Sequence, residues 1–112
     1  MAYYLVQATY TPEAWAALLR NPQPRASALQ SVVQKLGGKI ESLYLAFGDY
    51  DTVGIFNMPG NVDIAAFAMA AAAGGGVKAI KTTPLMTVDE GREAMTKAGK
   101  SGYVAPQAAA AV

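Results

Sequence analysis

Two carboxylates, a phenol and a glycine stand together at Gly48-Asp49-Tyr50-Asp51, between two runs of residues that favour β-strands. Alternate residues of an extended chain point to one face, so the carboxylates of Asp49 and Asp51 can converge. A converging pair can supply a base, if the pKa of one aspartate is raised, or can hold a hard cation through oxygen ligands. The competing interpretation is a hairpin turn with solvated acids and a glycine that permits positive φ. The frequency of Asp and Gly in turns favours this second interpretation, with Tyr50 in a packing role.

A second group of candidates consists of aromatic residues on predicted strands and one helix. One interpretation is that they line a pocket between sheet and helices, together with three polar residues that would orient a ligand. The aromatic candidates are Tyr3, Trp15, Tyr44 and Phe56, and the polar ones are Ser42, Asn57 and Lys81. The alternative, which the frequency of buried aromatic residues favours, is that the aromatic residues form the core. Lys81 is a candidate base and anion anchor, or else an edge lysine that prevents strand addition.

The composition excludes several kinds of chemistry. The chain of 112 residues has no cysteine and no histidine, which removes thiolate catalysis, imidazole ligands and the commonest general base at neutral pH. We therefore predict neither a metal site nor a cofactor. A net charge of +1 without a basic stripe gives no support for nucleic-acid binding. The longest apolar tract, residues 64–73, is far shorter than the roughly 20 residues of a membrane span, and we expect a cytoplasmic protein.

The hydrophobic periods and the breaker residues predict four strands and four helices. Strands are predicted at residues 3–10, 39–47, 52–58 and 77–84, and helices from 12, at 25–36, at 62–73 and from 88 to 98. The first two helices are separated by Asn21-Pro22-Gln23-Pro24, because proline removes backbone donors and restricts the preceding residue. Residues 1–98 form one predicted domain. Residues 99–112 form a tail rich in small residues, which we expect to be mobile or docked on a partner chain.

This order predicts an α+β fold of the ferredoxin-like type, β-α-β-β-α-β with an antiparallel four-stranded sheet and a C-terminal helix. The alternating residues of the strands are apolar on both faces, whereas a sheet that met water on one face would alternate more cleanly. The chain is 53% apolar and only 15% charged. We therefore predict that one sheet face packs against a second subunit.

The stretch Phe47-Gly48-Asp49-Tyr50-Asp51 resembles the motif that names the GYD-domain family. The first strand with Thr11-Pro12-Glu13-Ala14-Trp15, and the strand Lys39-Ile40-Glu41-Ser42-Leu43-Tyr44, are similar to that family too, so the resemblance covers about residues 3–98. The family is similar to the dimeric α+β barrel group, which implies paired ferredoxin-like sheets, as a dimer or a higher oligomer. Relatives in the wider group include monooxygenases, isomerases and haem enzymes, and several use a histidine that this chain lacks.

Three functions are compatible with these patterns. The first is a homo-oligomer that binds a small ligand in an apolar interior or acts as an assembly module, and it is the one we favour. The second is a cofactor-independent oxygenase or isomerase of a small carbonyl or aromatic compound, with Asp49, Asp51, Tyr44 or Lys81 as acid and base. The third is a structural subunit of a larger assembly that uses its apolar surface and tail.

Overall fold

A computed structural model describes residues 1–107 of the chain. It contains β1 (Ala2–Tyr10), α1 (Pro12–Arg20), α2 (Ala26–Lys35), β2 (Lys39–Leu45), β3 (Thr52–Met58), α3 (Asn61–Ala73), β4 (Val77–Leu85) and α4 (Val88–Gly99). The element order predicted from the sequence is confirmed. The largest difference is at the end of β2, which stops at Leu45 rather than residue 47.

Two threonines set the starts of α1 and α4. The Thr11 hydroxyl accepts a hydrogen bond from the Ala14 backbone N–H at 3.1 Å, and Pro12 occupies the first helical position, where its missing N–H leaves nothing unpaired. At α4 the Thr87 hydroxyl accepts from the Glu90 N–H at 3.1 Å, while the Glu90 carboxylate accepts from the Thr87 N–H at 2.9 Å. This reciprocal capping box satisfies two donors that the helix itself leaves unpaired.

The four strands form one antiparallel sheet in the order β2-β3-β1-β4. The helical connections leave and return on the same side of this sheet, so the chain has the ferredoxin-like α+β fold predicted from its element order. The first connection carries two helices, α1 and α2, where the simplest form of the plan has one.

The hydrophobic core lies between the helices and the sheet face that they cover. β1 and β3 contribute alternate residues to it, and α2 and α3 supply the opposite side. The buried core residues are Tyr4, Val6, Val33, Phe56, Met58, Ile64 and Phe67. The rings of Phe56 and Phe67 meet edge to face with centroids 5.1 Å apart, an arrangement that aromatic pairs favour.

The other sheet face, which we call the open face, carries no helix. Register places three rows of side chains on it: Tyr44-Val53-Gln7-Lys81, Ser42-Ile55-Leu5-Thr83 and Lys39-Asn57-Tyr3-Leu85. Its centre is apolar and its edges are more polar. Tyr3 and Tyr44 are 38% and 68% exposed, so within residues 1–107 the open face has no cover.

A β-bulge interrupts the alternation of side chains along β2. Strict alternation would place Ile40 on the same face as Ser42 and Tyr44. The register shifts between Ile40 and Ser42, and because a bulge adds one residue to one strand it turns the side chains before it to the other face. Ile40 and Leu43 therefore both pack against the core.

The last part of the described chain extends beyond the sheet. Gly99, predicted as the first tail residue, is the last residue of α4, and residues 100–107 are irregular and exposed. The remainder of the predicted tail, residues 108–112, lies outside the described residues. In residues 1–107 no helix has the length and apolar character needed to cross a membrane.

Candidate functional site

A cavity of about 410 Å³ lies between the helix-covered sheet face and helices α1, α2 and α3. Its sheet side is formed by strand residues of the core face, and its helical side by small and aliphatic residues. Among the lining residues are Val6, Phe56, Ala14, Leu29, Val32 and Ala71. A volume of 300–1,000 Å³ is typical of small-molecule sites, so the cavity has room for a compact ligand.

Small side chains on two helices create this space. Ala14 and Ala17 of α1, and Ala70 and Ala71 of α3, line the cavity where larger residues would fill it. Phe67 of α3 also lines the cavity, where its ring meets that of Phe56. The small side chains at these four helical positions therefore leave room in the cavity.

One corner of the cavity is polar. The Thr52 hydroxyl donates to the Tyr10 hydroxyl at 2.8 Å, and both residues line the cavity. Thr52 is 92% buried, given its 8% exposure. Two hydroxyls carry two protons and this contact uses one. Among residues 1–107 the second O–H has no acceptor, so it can donate to a ligand in the cavity.

Asp51 holds that corner in place. Its carboxylate oxygen Oδ2 accepts from the Tyr10 backbone N–H at 2.9 Å and from Trp15 Nε1 at 3.4 Å. Its own N–H donates to the Ala8 carbonyl at 2.8 Å, and its carbonyl accepts from the Ala46 N–H at 2.7 Å. The Tyr10 and Trp15 rings meet edge to face at 5.2 Å. Asp51 thus ties the β2–β3 loop to the end of β1 and to α1.

The two aspartates of the loop have different surroundings. Asp49 is exposed, and in the described part of the chain its carboxylate has no hydrogen bond, whereas Asp51 is half-buried and has two. The same residues 1–107 hold no group of three or more acidic, Cys or His side chains able to bind a metal ion. The carboxylates lie in a loop after β2 ends, so the strand alternation that would make them converge does not apply there.

Gly48 does not use the positive φ that a glycine permits in a hairpin turn. Within residues 1–107 only Gly37, Gly75 and Gly102 have positive φ, and a Cβ added at Gly48 would meet no atom within 4 Å. The turn is closed by the Ala46–Asp51 backbone hydrogen bond instead. Tyr50 lies half-buried in this loop.

The other predicted site residues divide between the two faces of the sheet. Trp15 lies on the helical side beside Asp51 and Tyr10, and Phe56 lines the cavity. Tyr3, Ser42, Tyr44, Asn57 and Lys81 lie on the open face. The interpretation that all of them line one pocket is therefore wrong in its placement of these five residues, because strand alternation separates them from the cavity.

Sequence reasoning missed Tyr10 and Thr52 as site residues. Alternation along β1 puts Tyr10 on the same face as Val6 and Ala8, and all three line the cavity. The signal that could have found the site is this alternation together with the alanines of α1 and α3. The pairing of Tyr10 with Thr52 depends on the β1–β3 register, which a single sequence does not state.

A family model for the GYD domain matches residues 4–95. The chain belongs to the GYD-domain family. The match runs from β1 into α4, so all the strands and the loop with Asp49 and Asp51 are part of the GYD domain. No curated protein matches the chain. Of the residues Gly48-Asp49-Tyr50-Asp51, this GYD domain uses Asp51 to fix the polar corner of its cavity and leaves the Asp49 carboxylate in solvent.

Proposed function

We propose that this GYD domain is a homo-oligomeric protein that binds a small, mostly apolar ligand in the cavity between its sheet and helices. The observation that carries the proposal is the cavity of about 410 Å³ with a hydroxyl pair at one corner, formed by the buried Thr52 and the half-buried Tyr10. A mostly apolar pocket with few convergent polar groups is the usual form of a small-molecule site.

The polar corner specifies the ligand's chemistry. The free O–H of the Tyr10–Thr52 pair is a donor beside a mostly apolar cavity lining, so a ligand that left it unpaired would bind less favourably. A ligand oxygen that accepts, such as a ketone or aldehyde carbonyl, completes the pair. Gln23 and Arg25 also line the cavity but remain exposed, so they stand at its solvent side. The matching ligand is a compact aromatic or aliphatic carbonyl compound.

The homo-oligomer is supported by the open face. Its central residues Leu5, Val53 and Ile55 form an apolar surface across neighbouring strands, and Tyr3 and Tyr44 extend it. Contiguous apolar surfaces of this kind mark interaction sites in soluble proteins. Two copies of the open face, packed sheet to sheet, would remove it from water.

Binding accounts for this geometry better than catalysis. The oxygenase or isomerase hypothesis needs an acid and a base beside the ligand. Tyr44 and Lys81 lie on the opposite sheet face from the cavity, and the Asp51 carboxylate is engaged by Tyr10 and Trp15. An assembly role uses the open face alone and leaves the cavity unexplained.

Trp15 provides a direct assay, because it is the chain's single tryptophan and its ring contacts the cavity residue Tyr10. Titration with acetophenone should change Trp15 fluorescence and saturate. Ethylbenzene, similar in size but without an acceptor oxygen, should bind more weakly by about five- to tenfold, since one neutral hydrogen bond contributes about 1 kcal/mol.

Two alanines of α3 give a matched control. Ala71 lines the cavity and Ala72 is exposed, so A71L should weaken binding of both compounds while A72L leaves it unchanged. Equal affinities in the two variants would place the ligand elsewhere. Absence of saturable binding by any compact carbonyl compound would refute the binding function.

A further inference from the structure

Helix α4 ends the ordered fold without being packed into it. It runs from Val88 to Gly99, and among residues 1–107 nothing buries any of its side chains. Val88 and Met95 are 90% and 74% exposed. At 100° per residue they share one narrow stripe with Gly91 and Ala98. Lys97 and Glu93, paired at 3.6 Å, stand on the opposite side.

A free helix of this length is marginal in water. Nucleation is unfavourable, so isolated helices shorter than about 12–15 residues form poorly, and α4 has 12 residues. Its capping box shows that the sequence favours the helix at this position. The Cα radius of gyration is 18.7 Å, whereas a compact chain of this length has about 13 Å. Within residues 1–107, α4 and the residues that follow it therefore extend away from the core.

The base of α4 is continuous with the open face. A shallow depression of about 330 Å³ is lined by Tyr3, Ile55 and Leu85 of that face and by Met86 and Thr87, which lead into α4. A molecule seated on the open face would thus meet the beginning of α4 as well.

The dimensions of the open face favour a partner that also covers α4. Four strands spaced about 4.8 Å apart and about 25 Å long give a footprint of about 500 Å². A stable interface takes about 800 Å² from each partner. The 12-residue helix, about 18 Å long and 10 Å wide, adds about 180 Å² next to it. The accessible surface of a sheet or helix exceeds such a projected footprint, so the face and the helix together reach the area of a stable dimer more fully than the face alone does.

We infer that α4 is an exchanged element: in the assembled protein the Val88–Met95 stripe of each copy packs on a second copy of this chain, at the rim of the interface between the two open faces. This inference rests on the homo-oligomer proposed above. It adds that the two subunits exchange their α4 helices, so that each helix is stabilised by the other subunit rather than by its own. The isologous form follows from two-fold symmetry, because each subunit donates one helix and receives one.

Cross-linking between unlabelled and ¹⁵N-labelled chains tests the exchange of α4. The chain has no cysteine, so M95C gives one attachment point for a benzophenone maleimide. Unlabelled M95C chain and ¹⁵N-labelled wild-type chain are unfolded, mixed and refolded, and native mass spectrometry verifies that mixed oligomers form. We expect photo-cross-links from position 95 to peptides of the labelled chain. K97C, about 160° away around the helix, should give far fewer.

The outcomes separate this inference from the proposed function. Cross-links confined to the M95C chain itself, in an oligomer shown to be mixed, would overturn the exchange and leave the homo-oligomer standing. A monomer at every concentration would overturn both. If M95C does not fold, V88C on the same stripe replaces it.

A second measurement uses substitutions of similar helix propensity. M95Q removes an apolar contact and K97Q removes a solvated charge, and Met, Lys and Gln favour helix to similar degrees. If the stripe is buried between subunits, M95Q should raise the dimer dissociation constant about tenfold or more, and K97Q should change it little. Equal dissociation constants for the two variants would contradict the exchange of α4 between subunits.

Discussion

Replacing Asp51 separates its structural role from a catalytic one. In D51A the Tyr10 backbone N–H and Trp15 Nε1 lose their shared carboxylate acceptor. A hydrogen bond to a charged group contributes about 1.5–3 kcal/mol, and the Trp15 contact, at 3.4 Å, is long and contributes less. We expect D51A to lower the free energy of unfolding by about 2–4 kcal/mol. D51N keeps an acceptor oxygen of the same shape and should lose about 1 kcal/mol.

Urea denaturation followed by Trp15 fluorescence measures this effect. Unfolding free energies of small proteins fall by about 1–3 kcal/mol per molar urea, so D51A should lower the midpoint by about 1–2 M. All variants are compared at one protein concentration, because oligomerisation makes stability depend on concentration.

Asp49 is the matched control, two residues away in the same loop. It is exposed, and substitutions at such surface positions usually change stability by less than about 0.5 kcal/mol. If D49A and D51A had the same small effect, the assignment of Asp51 as the residue that holds the cavity corner would be refuted. A D51A protein of normal stability that no longer bound ligand would instead make Asp51 a ligand contact.

Three other substitutions test separate parts of the structure. Y10F should reduce acetophenone affinity about five- to tenfold and leave ethylbenzene affinity unchanged, measured by the same fluorescence titration; equal losses would mean that the ring rather than the hydroxyl matters. G54A should cost about 1–3 kcal/mol in urea denaturation, because a Cβ there would lie 2.8 Å from the Ser42 carbonyl oxygen, and an unchanged midpoint would contradict this packing. Two hydrogen bonds lower the pKa of Glu90 below its usual 4.5. The larger effect comes from the Thr87 backbone N–H and the smaller from the Thr87 hydroxyl. A lowered folded-state pKa stabilises the helix start above the unfolded value and loses that stability as pH falls through the folded value. The amide protection factors in the first turn of α4, which are corrected for the intrinsic exchange rate, should therefore fall below about pH 4.5, and E90Q should remove this fall; wild-type protection factors that do not change there would contradict the capping role.

Local patterns were sufficient to predict the fold. Thr11-Pro12 and Thr87 with Glu90 mark helix starts by chemistry that acts over three or four residues. Residue alternation likewise assigned the faces of β1 and β3. These signals are local, so one sequence contains them in full.

The site could be predicted only in part, because it depends on register and on the path of a loop. The bulge at residue 41 reversed the face of Ile40. The Asp51 carboxylate accepts from Tyr10, 41 residues away, so its direction is set by how β1 and β3 align. For the same reason Tyr44 and Lys81 matched a site in residue type while lying on the face opposite the cavity.

Native mass spectrometry of the purified 112-residue chain tests the central claim most directly, since it reports assembly and bound ligand together. We expect an oligomer with reproducible extra mass of a small organic compound, which A71L should reduce and A72L should leave unchanged. A monomer without added mass at micromolar concentration would contradict both the open-face interface and the ligand-binding cavity.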